Sequence, residues 1–564
     1  MPKVIGIGKQ RYDRIIENDG FYIDKTMFIK EWWENQDDVT LITRPRRFGK
    51  TLNMDMLKCF FSNEYKDRGD LFEGLDIWKE EKYREIQGTY PVIFLSFAKI
   101  KQNTYKDAIA GIKRIICDEI QKYIFLKDWD GLADAEKNNL KNITYGMDDV
   151  TAQEAIASLS NYLSRYYGKN VIILLDEYDT PMQEAYVNGY WEELVSFTRS
   201  FFNATFKSNL YLERAVITGI TRVSKESIFS DLNNLKVITV ESDEYSDTFG
   251  FSEEEVFLAL DDFNLSDKKQ IVKEWYDGFT FGSQRDIYNP WSIINFLENK
   301  KIDTYWADTS SNSLINHLIK KSVPEIKELM ELLLKRGSIE VTFDDQIVFN
   351  QLDKSKNAIW SLLVASGYLK IDDIEYKGLL LKPWYHISIT NLETVSMFAN
   401  MFAGWFENPD ARYNDFVKSL LKNDLKGMNY YMNKVALVTF NYFDTGKNPS
   451  ETLEPERFYH GFVLGLIVEL SDRYEVKSNR ESGFGRYDVM IIPLDKSEKA
   501  IVLEFKVHEN DEEKTLEETV SSALAQIEEK KYDTELINAG VKKENIRHYG
   551  FAFEGKKVLI GTDE

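Results

Sequence analysis

Gly49-Lys50-Thr51 is the first group in this chain whose residue types and order point to chemistry. An apolar run, Val39 to Ile42, precedes it and reads as a buried parallel strand. Arg44-Pro-Arg-Arg-Phe48 forms a proline-stiffened loop between the two. Behind them, Leu52, Met56, Leu57, Phe60 and Phe61 recur at helical spacing. Strand, loop, Gly-Lys-Thr and helix is the layout of a P-loop, in which backbone N–H groups at a helix N-terminus cradle phosphates. Lys50 is expected to neutralise the β/γ-phosphates and Thr51 to hold Mg²⁺. Arg46, Arg47, Phe48, Gly49 and Leu52 belong to the same nucleotide cradle, the two arginines serving this chain's nucleotide or a neighbour's. The loop normally opens with Gly six residues before the Lys, where close backbone approach and positive φ are needed. Arg44 stands there, so the loop must start differently; a merely basic strand-to-helix turn is the competing reading.

A second group supports nucleotide chemistry. Val171-Ile-Ile-Leu-Leu-Asp176-Glu177-Tyr-Asp179 is an apolar run that ends in acids, after a turn at Gly168-Lys169-Asn170. A buried parallel strand that delivers acids at its C-terminal end suits the ligand crevice of an open α/β sheet. Asp176 is expected to hold the metal, and Glu177 to polarise the attacking water. A third strand, Arg214 to Gly219, ends near Thr221-Arg222. In P-loop ATPases with a catalytic Glu beside the metal Asp, an inserted strand lies between the P-loop strand and the acidic one. Its polar tip senses the γ-phosphate. Thr218 or Thr221 would position water and Arg222 would meet a phosphate.

The C-terminal part carries different chemistry. Asp488 lies near the start of one strand and Glu504-Phe-Lys506 within another, Ala500 to Val507. With a period of two, Glu504 and Lys506 share a face while Phe505 enters the core. If Asp488 faces that side, two carboxylates and an ammonium converge, a kit for metal-assisted phosphodiester hydrolysis on Mg²⁺ or Mn²⁺. Charge inside an otherwise apolar strand is costly without a partner. Gln526 follows on the next helix. The alternatives are a salt-bridged lysine on an edge strand, or a nuclease fold used only for binding.

Other features bound the answer. A chain of 564 residues exceeds one core and calls for roughly three or four domains. Two cysteines without CxxC spacing and five scattered histidines argue against a disulfide framework or a zinc site. No apolar run is long enough to span a membrane, and the first residues lack a signal-peptide core, so a soluble cytoplasmic protein is expected. The net charge of −22 repels phosphate on average, so any nucleic-acid contact must be local or gated.

Strands alternating with helices to about residue 250 predict a parallel sheet covered on both faces. From 251 the pattern is mainly helical, interrupted by aromatic turns at Trp275-Tyr-Asp-Gly-Phe-Thr-Phe-Gly282 and Ile287-Tyr-Asn-Pro-Trp-Ser292, whose aromatics read as packing. Residues 340–400 mix short strands and helices in a winged-helix-like order. Helical residues 412–447 lead to a joint at Gly446-Lys-Asn-Pro-Ser450 and a helix from Pro455 to Leu470.

Several of these stretches together resemble the bacterial AAA-ATPase-like family with a C-terminal PD-(D/E)xK nuclease-superfamily domain. They are Tyr22-Ile-Asp-Lys-Thr26, Arg44-Pro-Arg-Arg-Phe-Gly-Lys-Thr51, Leu175-Asp-Glu-Tyr-Asp179, Thr218-Gly-Ile-Thr-Arg222, Lys225-Glu-Ser-Ile-Phe-Ser230, Tyr276-Asp-Gly-Phe279 and Tyr288-Asn-Pro-Trp291. Tyr459-His460, Gly485-Arg-Tyr-Asp488, Glu504-Phe-Lys506 and Gln526 to Tyr532 carry the resemblance at the C-terminal end. The arginine-rich loop is characteristic of that family, which accounts for Arg44. The resemblance implies Asp488, Glu504 and Lys506 as a nuclease core with Gln526 beside it, and a bacterial origin, often with mobile elements or defence.

The expected fold class is α/β: a P-loop NTPase parallel sheet (1–250), a helical lid with a winged-helix-like region (251–410), and a restriction-endonuclease-like domain (411–564). The expected function is ATP binding and hydrolysis gating phosphodiester cleavage, with ATP and Mg²⁺ as cofactors. Nucleic acid, DNA in preference to RNA, is the expected partner, in a monomer or a homo-oligomer and away from membranes. The alternative is a nucleotide-dependent switch whose nuclease-like domain binds nucleic acid or protein without cutting, or an ATPase part that holds nucleotide only structurally.

Overall fold

The structure is a computed structural model. It describes residues 3–222, 228–229, 232–306, 315, 318, 324–334, 336–343, 357–405, 413–439, 463–464, 466–467, 470, 473–482, 485–508, 513–555 and 557–563. The expected joint at Gly446–Ser450, Tyr459-His460, nearly all of the helix Pro455–Leu470 and most of Lys225–Ser230 lie outside these residues.

Five apolar runs form one parallel sheet: β1 (Val39–Thr43), β2 (Val92–Ser96), β3 (Val171–Asp176), β4 (Leu212–Gly219) and β5 (Leu235–Ile238). The order is β2-β3-β4-β1-β5. β1 and β3 are buried at every position, as unbroken Val/Ile/Leu runs covered on both faces require. β4 therefore separates the P-loop strand from the acid-tipped strand, with Ile42 beside Thr218 and Leu175 beside Ile217. All three strands deliver their C-terminal ends to the same edge.

The region expected to be a helical lid is less purely helical than its periodicity suggests. β6 (Phe251–Ser252), β7 (Phe279–Phe281) and β8 (Gln284–Tyr288) form a small antiparallel sheet in the order β6-β8-β7. The stretches read as aromatic turns hold strand at Phe279–Phe281 and Ile287–Tyr288, and Phe279-Thr-Phe281 alternates buried and half-buried side chains with period two. The helix Glu253–Asp262 opens with a capping box, Ser252 and Glu255 bonding reciprocally. β9 (Ile339–Val341), before the helix Ala358–Ala365, joins β10 (Leu369–Lys377) and β11 (Lys382–Ile389), after it, in a second antiparallel sheet of order β10-β11-β9.

The chain divides into two compact units, residues 1–318 with 338–395 and residues 319–337 with 396–564. In the first, the lid region packs with the parallel sheet rather than forming a body of its own. The second holds the sheet β12 (Tyr474–Ser482), β13 (Gly485–Pro493), β14 (Ala500–Val507), β15 (Ile546–Glu554) and β16 (Lys557–Thr562), in chain order, with only β14 and β15 parallel. The helices Tyr413–Lys422 and Leu425–Thr439 contribute Phe416, Leu420, Met428 and Met432 to the core beneath it. The helix Leu516–Lys530 lies in the β14–β15 crossover.

Candidate functional site

The first site forms where β1, β4 and β3 end. Asp176 is fully buried and each of its oxygens accepts a hydroxyl proton. Thr51 Oγ1 donates to Oδ2 at 2.7 Å and Thr218 Oγ1 to Oδ1 at 2.6 Å. Burial pushes the Asp176 carboxyl up, and the two hydroxyls pull it back. Thr51 and Asp176, separated by more than a hundred residues in sequence, are thereby brought within one metal ion's reach. Thr218 serves as an anchor for Asp176, while Thr221 is held elsewhere. Asp179 Oδ2 accepts from Ile220 N, Thr221 N and Thr221 Oγ1 at 3.0, 2.8 and 2.7 Å. This latch needs Gly219, since a Cβ there would lie 2.6 Å from Tyr178 and 2.7 Å from Asp179.

The loop before the helix Lys50–Phe61 takes its shape from Arg47 and Gly49, both left-handed at φ 66° and 79°. Lys50 Nζ donates to the carbonyls of Arg44 and Pro45 at 3.0 and 2.8 Å. Burial lowers its pKa, opposed by Glu177, Asp176 and Asp179. Glu177, also left-handed at φ 52°, follows β3 and accepts from Thr180 Oγ1 at 3.1 Å.

Arg44 takes the place of the usual glycine by leaving the loop altogether. Its side chain is fully buried, donates to the carbonyls of Thr43 and Thr239 at 3.0 and 2.6 Å, and lies 4.5 Å from the Phe281 ring centre. Phe48 stays at the cavity over the loop, its ring packing edge-on against Phe279 and Phe281.

A cavity of about 380 Å³ opens over this loop, lined by Arg46, Arg47, Gly49, Lys50, Thr51 and Leu52 on one side and Glu177 on another. Asp176, Thr218 and Arg222 are not among its lining residues. The sequence reading missed two of its walls. One is the N-terminal segment with Ile5, Gly8, Lys9 and Ile23; the other is the start of the helix Pro290–Asn299, with Trp291 and Ile294. Trp291 stacks against Arg47, whose guanidinium lies 4.2 Å from its ring centre. The Arg46 carbonyl accepts from Asn289 Nδ2 at 3.2 Å and Trp306 Nε1 at 3.0 Å. The available signal was Asn289-Pro290, a cap followed by a first-turn proline that aims a helix start. A cavity wall made of such a cap is visible only in three dimensions.

The second site lies on β13 and β14. Val489 pairs with Leu503, so the antiparallel register carried one step further sets Asp488 opposite Glu504 on one face. Asp488 Oδ2 accepts from Phe505 N at 2.8 Å. Glu504 is 3% exposed and its Oε1 accepts from Gln526 Nε2, which also reaches the Tyr532 hydroxyl at 3.3 Å. Burial, with Glu504 and Asp488 adding, pushes the Tyr532 phenol up to about 12. Phe505 points the other way, packing on Phe551 at 5.1 Å between ring centres. Lys506 and His508 follow Glu504 at period two, while Thr519, Ser522 and Gln526 recur along the facing helix. His508 Nδ1 lies 2.8 Å from Thr519 Oγ1, and Ser522 Oγ donates to Glu513 at 2.7 Å. Burial opposes ionisation of Glu513, but bonds from Thr519 and Ser522, with His508 and Lys506 nearby, outweigh it and hold its pKa low. Sequence reading missed this second polar end of the face because 509–512 separate Glu513 from the strand.

Both sites offer hard oxygen donors: a hydroxyl with a carboxylate in the first and two carboxylates in the second, a donor set that fits Mg²⁺ or Mn²⁺. Residues 6–229 match the family model described as predicted AAA-ATPase (AAA-ATPase-like), and residues 454–563 match the PD-(D/E)XK nuclease superfamily. An uncharacterized protein from the vnfD 5' region of Azotobacter chroococcum mcd 1 is 24% identical over 505 residues, covering 87% of each chain. A crystal structure of a signal transduction ATPase with numerous domains (STAND), with a tetratricopeptide-repeat sensor, from Pyrococcus horikoshii aligns at TM-score 0.23 and 11% identity. The alignment covers 84% of this chain and only 54% of that one. Among the described residues, no helix is long and apolar enough to cross a membrane.

Proposed function

We propose that this chain, with its AAA-ATPase-like domain ahead of a PD-(D/E)XK nuclease-superfamily domain, is an ATP-hydrolysing protein whose nucleotide state gates metal-dependent cleavage of DNA. The observation that carries the reading is the Asp176 carboxylate held between the Thr51 and Thr218 hydroxyls beneath a nucleotide-sized cavity. Magnesium fits beside Thr51 and Asp176, and beside Asp488 and Glu504, where it would supply charge neutralisation at phosphoryl oxygens.

The chain's own residues do the rest. Lys50 exchanges the carbonyls of Arg44 and Pro45 for phosphate oxygens. Glu177, over the cavity, accepts the proton of the attacking water. Arg46 faces the developing phosphoryl charge from the cavity wall. On β14, Lys506 orients the attacking water toward the phosphodiester, and Gln526 fixes the Glu504 carboxylate so that its other oxygen stays directed at the site. An acidic chain that does not adhere to DNA by default suits a nuclease engaged only on demand.

The test is phosphate release and Mn²⁺-dependent DNA cleavage, each measured with and without ATP. Wild type should release phosphate, Glu177→Gln should bind ATP and release almost none, and Asp488→Asn should lose cleavage alone. Cleavage by Lys50→Ala that matches wild type would end the gating idea. Cleavage by neither protein, with DNA bound, would favour a switch whose nuclease fold only binds.

A further inference from the structure

We propose that the lid region carries a binding site for a hard divalent cation, calcium above others, formed by Glu253, Asp277 and Asp286. It is independent of the nucleotide and nuclease readings. One carboxylate oxygen from each of the three lies within 4.8 Å of the others. They come from three elements: Glu253 opens the helix Glu253–Asp262, Asp277 follows the helix Lys269–Tyr276, and Asp286 lies on β8.

Proximity of acids alone would mean little. Asp277 supplies the second observation. It is 9% exposed, and its Oδ1 is buried without a hydrogen-bond partner. A carboxylate oxygen so placed, on a side chain grouped with two further carboxylates, lacks the donor that burial normally demands, although the carboxyl itself is met by the Gly278 N–H and by Asp286. Three carboxylates there share one ammonium: Lys273 Nζ binds Glu253 and stays 3.7 Å from Asp286. The Tyr288 hydroxyl donates to Glu253 at 3.3 Å and helps fix it.

The chemistry of the group selects the ion. All donors are hard oxygens, with no thiolate and no imidazole, so soft and borderline metals are disfavoured. Asp286 and Glu253 reach solvent, leaving room for water ligands and an irregular shell, which Ca²⁺ accepts more readily than Mg²⁺. A comparable group at Glu340, Glu375 and His386 is more exposed and has Lys377 on both glutamates. The proposed site sits at the base of the β7–β8 hairpin, whose Phe279 and Phe281 back Phe48. A cation there would stiffen the hairpin that supports the phosphate loop.

The experiment is calcium titration calorimetry on the full chain without nucleotide, at physiological salt, with Mg²⁺ and Mn²⁺ as further arms. Asp286→Asn is the principal variant, because Asp286 is exposed and left-handed at φ 56°, a conformation asparagine tolerates. Wild type should bind one Ca²⁺ saturably, with Kd on the order of 10⁻⁴ to 10⁻³ M. Asp286→Asn and Asp277→Asn should each weaken it at least tenfold, while Asp488→Asn leaves it unchanged. No saturable calcium in wild type would overturn the proposal. So would equal binding by wild type and Asp286→Asn, whether or not Asp277→Asn folds.

Discussion

Arg44 and Asp176 illustrate two ways of keeping a polar group inside this protein. The Arg44 guanidinium is held through its outer nitrogens by backbone carbonyls and lies against aromatic faces, with its Nε left buried without a partner, a structural use of a residue that sits in a phosphate-binding motif. Arg44→Ala would leave the Thr239 carbonyl without its donor and open a cavity beside Phe281. We expect a loss of roughly 3 kcal/mol, read from urea midpoints, with a largely preserved affinity for ATP in whatever fraction folds. Lys50→Ala should do the reverse, leaving stability little changed or improved, because its burial is costly, while abolishing ATP binding measured by fluorescent-nucleotide titration. At Gly219 the argument is steric. Gly219→Ala forces a Cβ into Tyr178 and Asp179, so a destabilisation of about 1–3 kcal/mol is expected, with phosphate release falling as the Thr221 latch loosens.

Elements decide how far apart residues in sequence become neighbours. The β4 strand contributes Thr218 to Asp176 only because it inserts between β1 and β3. In the second unit, antiparallel register sets Asp488 against Glu504, and the facing helix brings Gln526 to the same carboxylate. That unit also carries a pH-dependent tie. His548 on β15 lies 2.7 Å from Asp533 and 2.5 Å from Asp563. Burial works against its charge, but the two carboxylates outweigh burial and push it up to about 9. Its folded pKa thus lies above its unfolded value. The stabilisation is full below pH ~6.5 and is lost as pH rises through about 9. Denaturant melts of wild type and His548→Gln should differ by on the order of 2–3 kcal/mol at pH 6. The two should converge near pH 10; a gap that persists there would refute the tie.

At the scale of the whole molecule, two units with separate sheets and cores share one chain. Calorimetry should therefore resolve two unfolding transitions. ATP with Mg²⁺ should raise only the one that belongs to the P-loop unit, by about 2.7 kcal/mol at a hundredfold excess over Kd. Trp291→Ala should reduce that increment, since Trp291 walls the cavity and stacks on Arg47. A single transition that nucleotide shifts as a block would show that the units unfold together.

Much of this was legible in residue order, for a local reason. Strand β1, the loop with Gly49-Lys50-Thr51 and its helix are contiguous, as are β3 and its acids, so their periodicity and turn chemistry are written in single windows. The alternation of Glu504, Phe505 and Lys506 assigned faces on β14 in the same way. Nonlocal facts were not legible. That Arg44 belongs in the loop followed from the resemblance, but where its side chain goes did not: it lies among carbonyls nearly two hundred residues away. Trp291 and the Ile5–Gln10 segment line the cavity without any motif that says so, and the strand Phe279–Phe281 was read as part of an aromatic turn. Sequence alone determined which groups are able to do chemistry, because identity and short-range spacing fix donor type, charge and local conformation. Which of those groups meet was decided by the tertiary structure, since strand order, register and burial depend on contacts that no single stretch of chain contains.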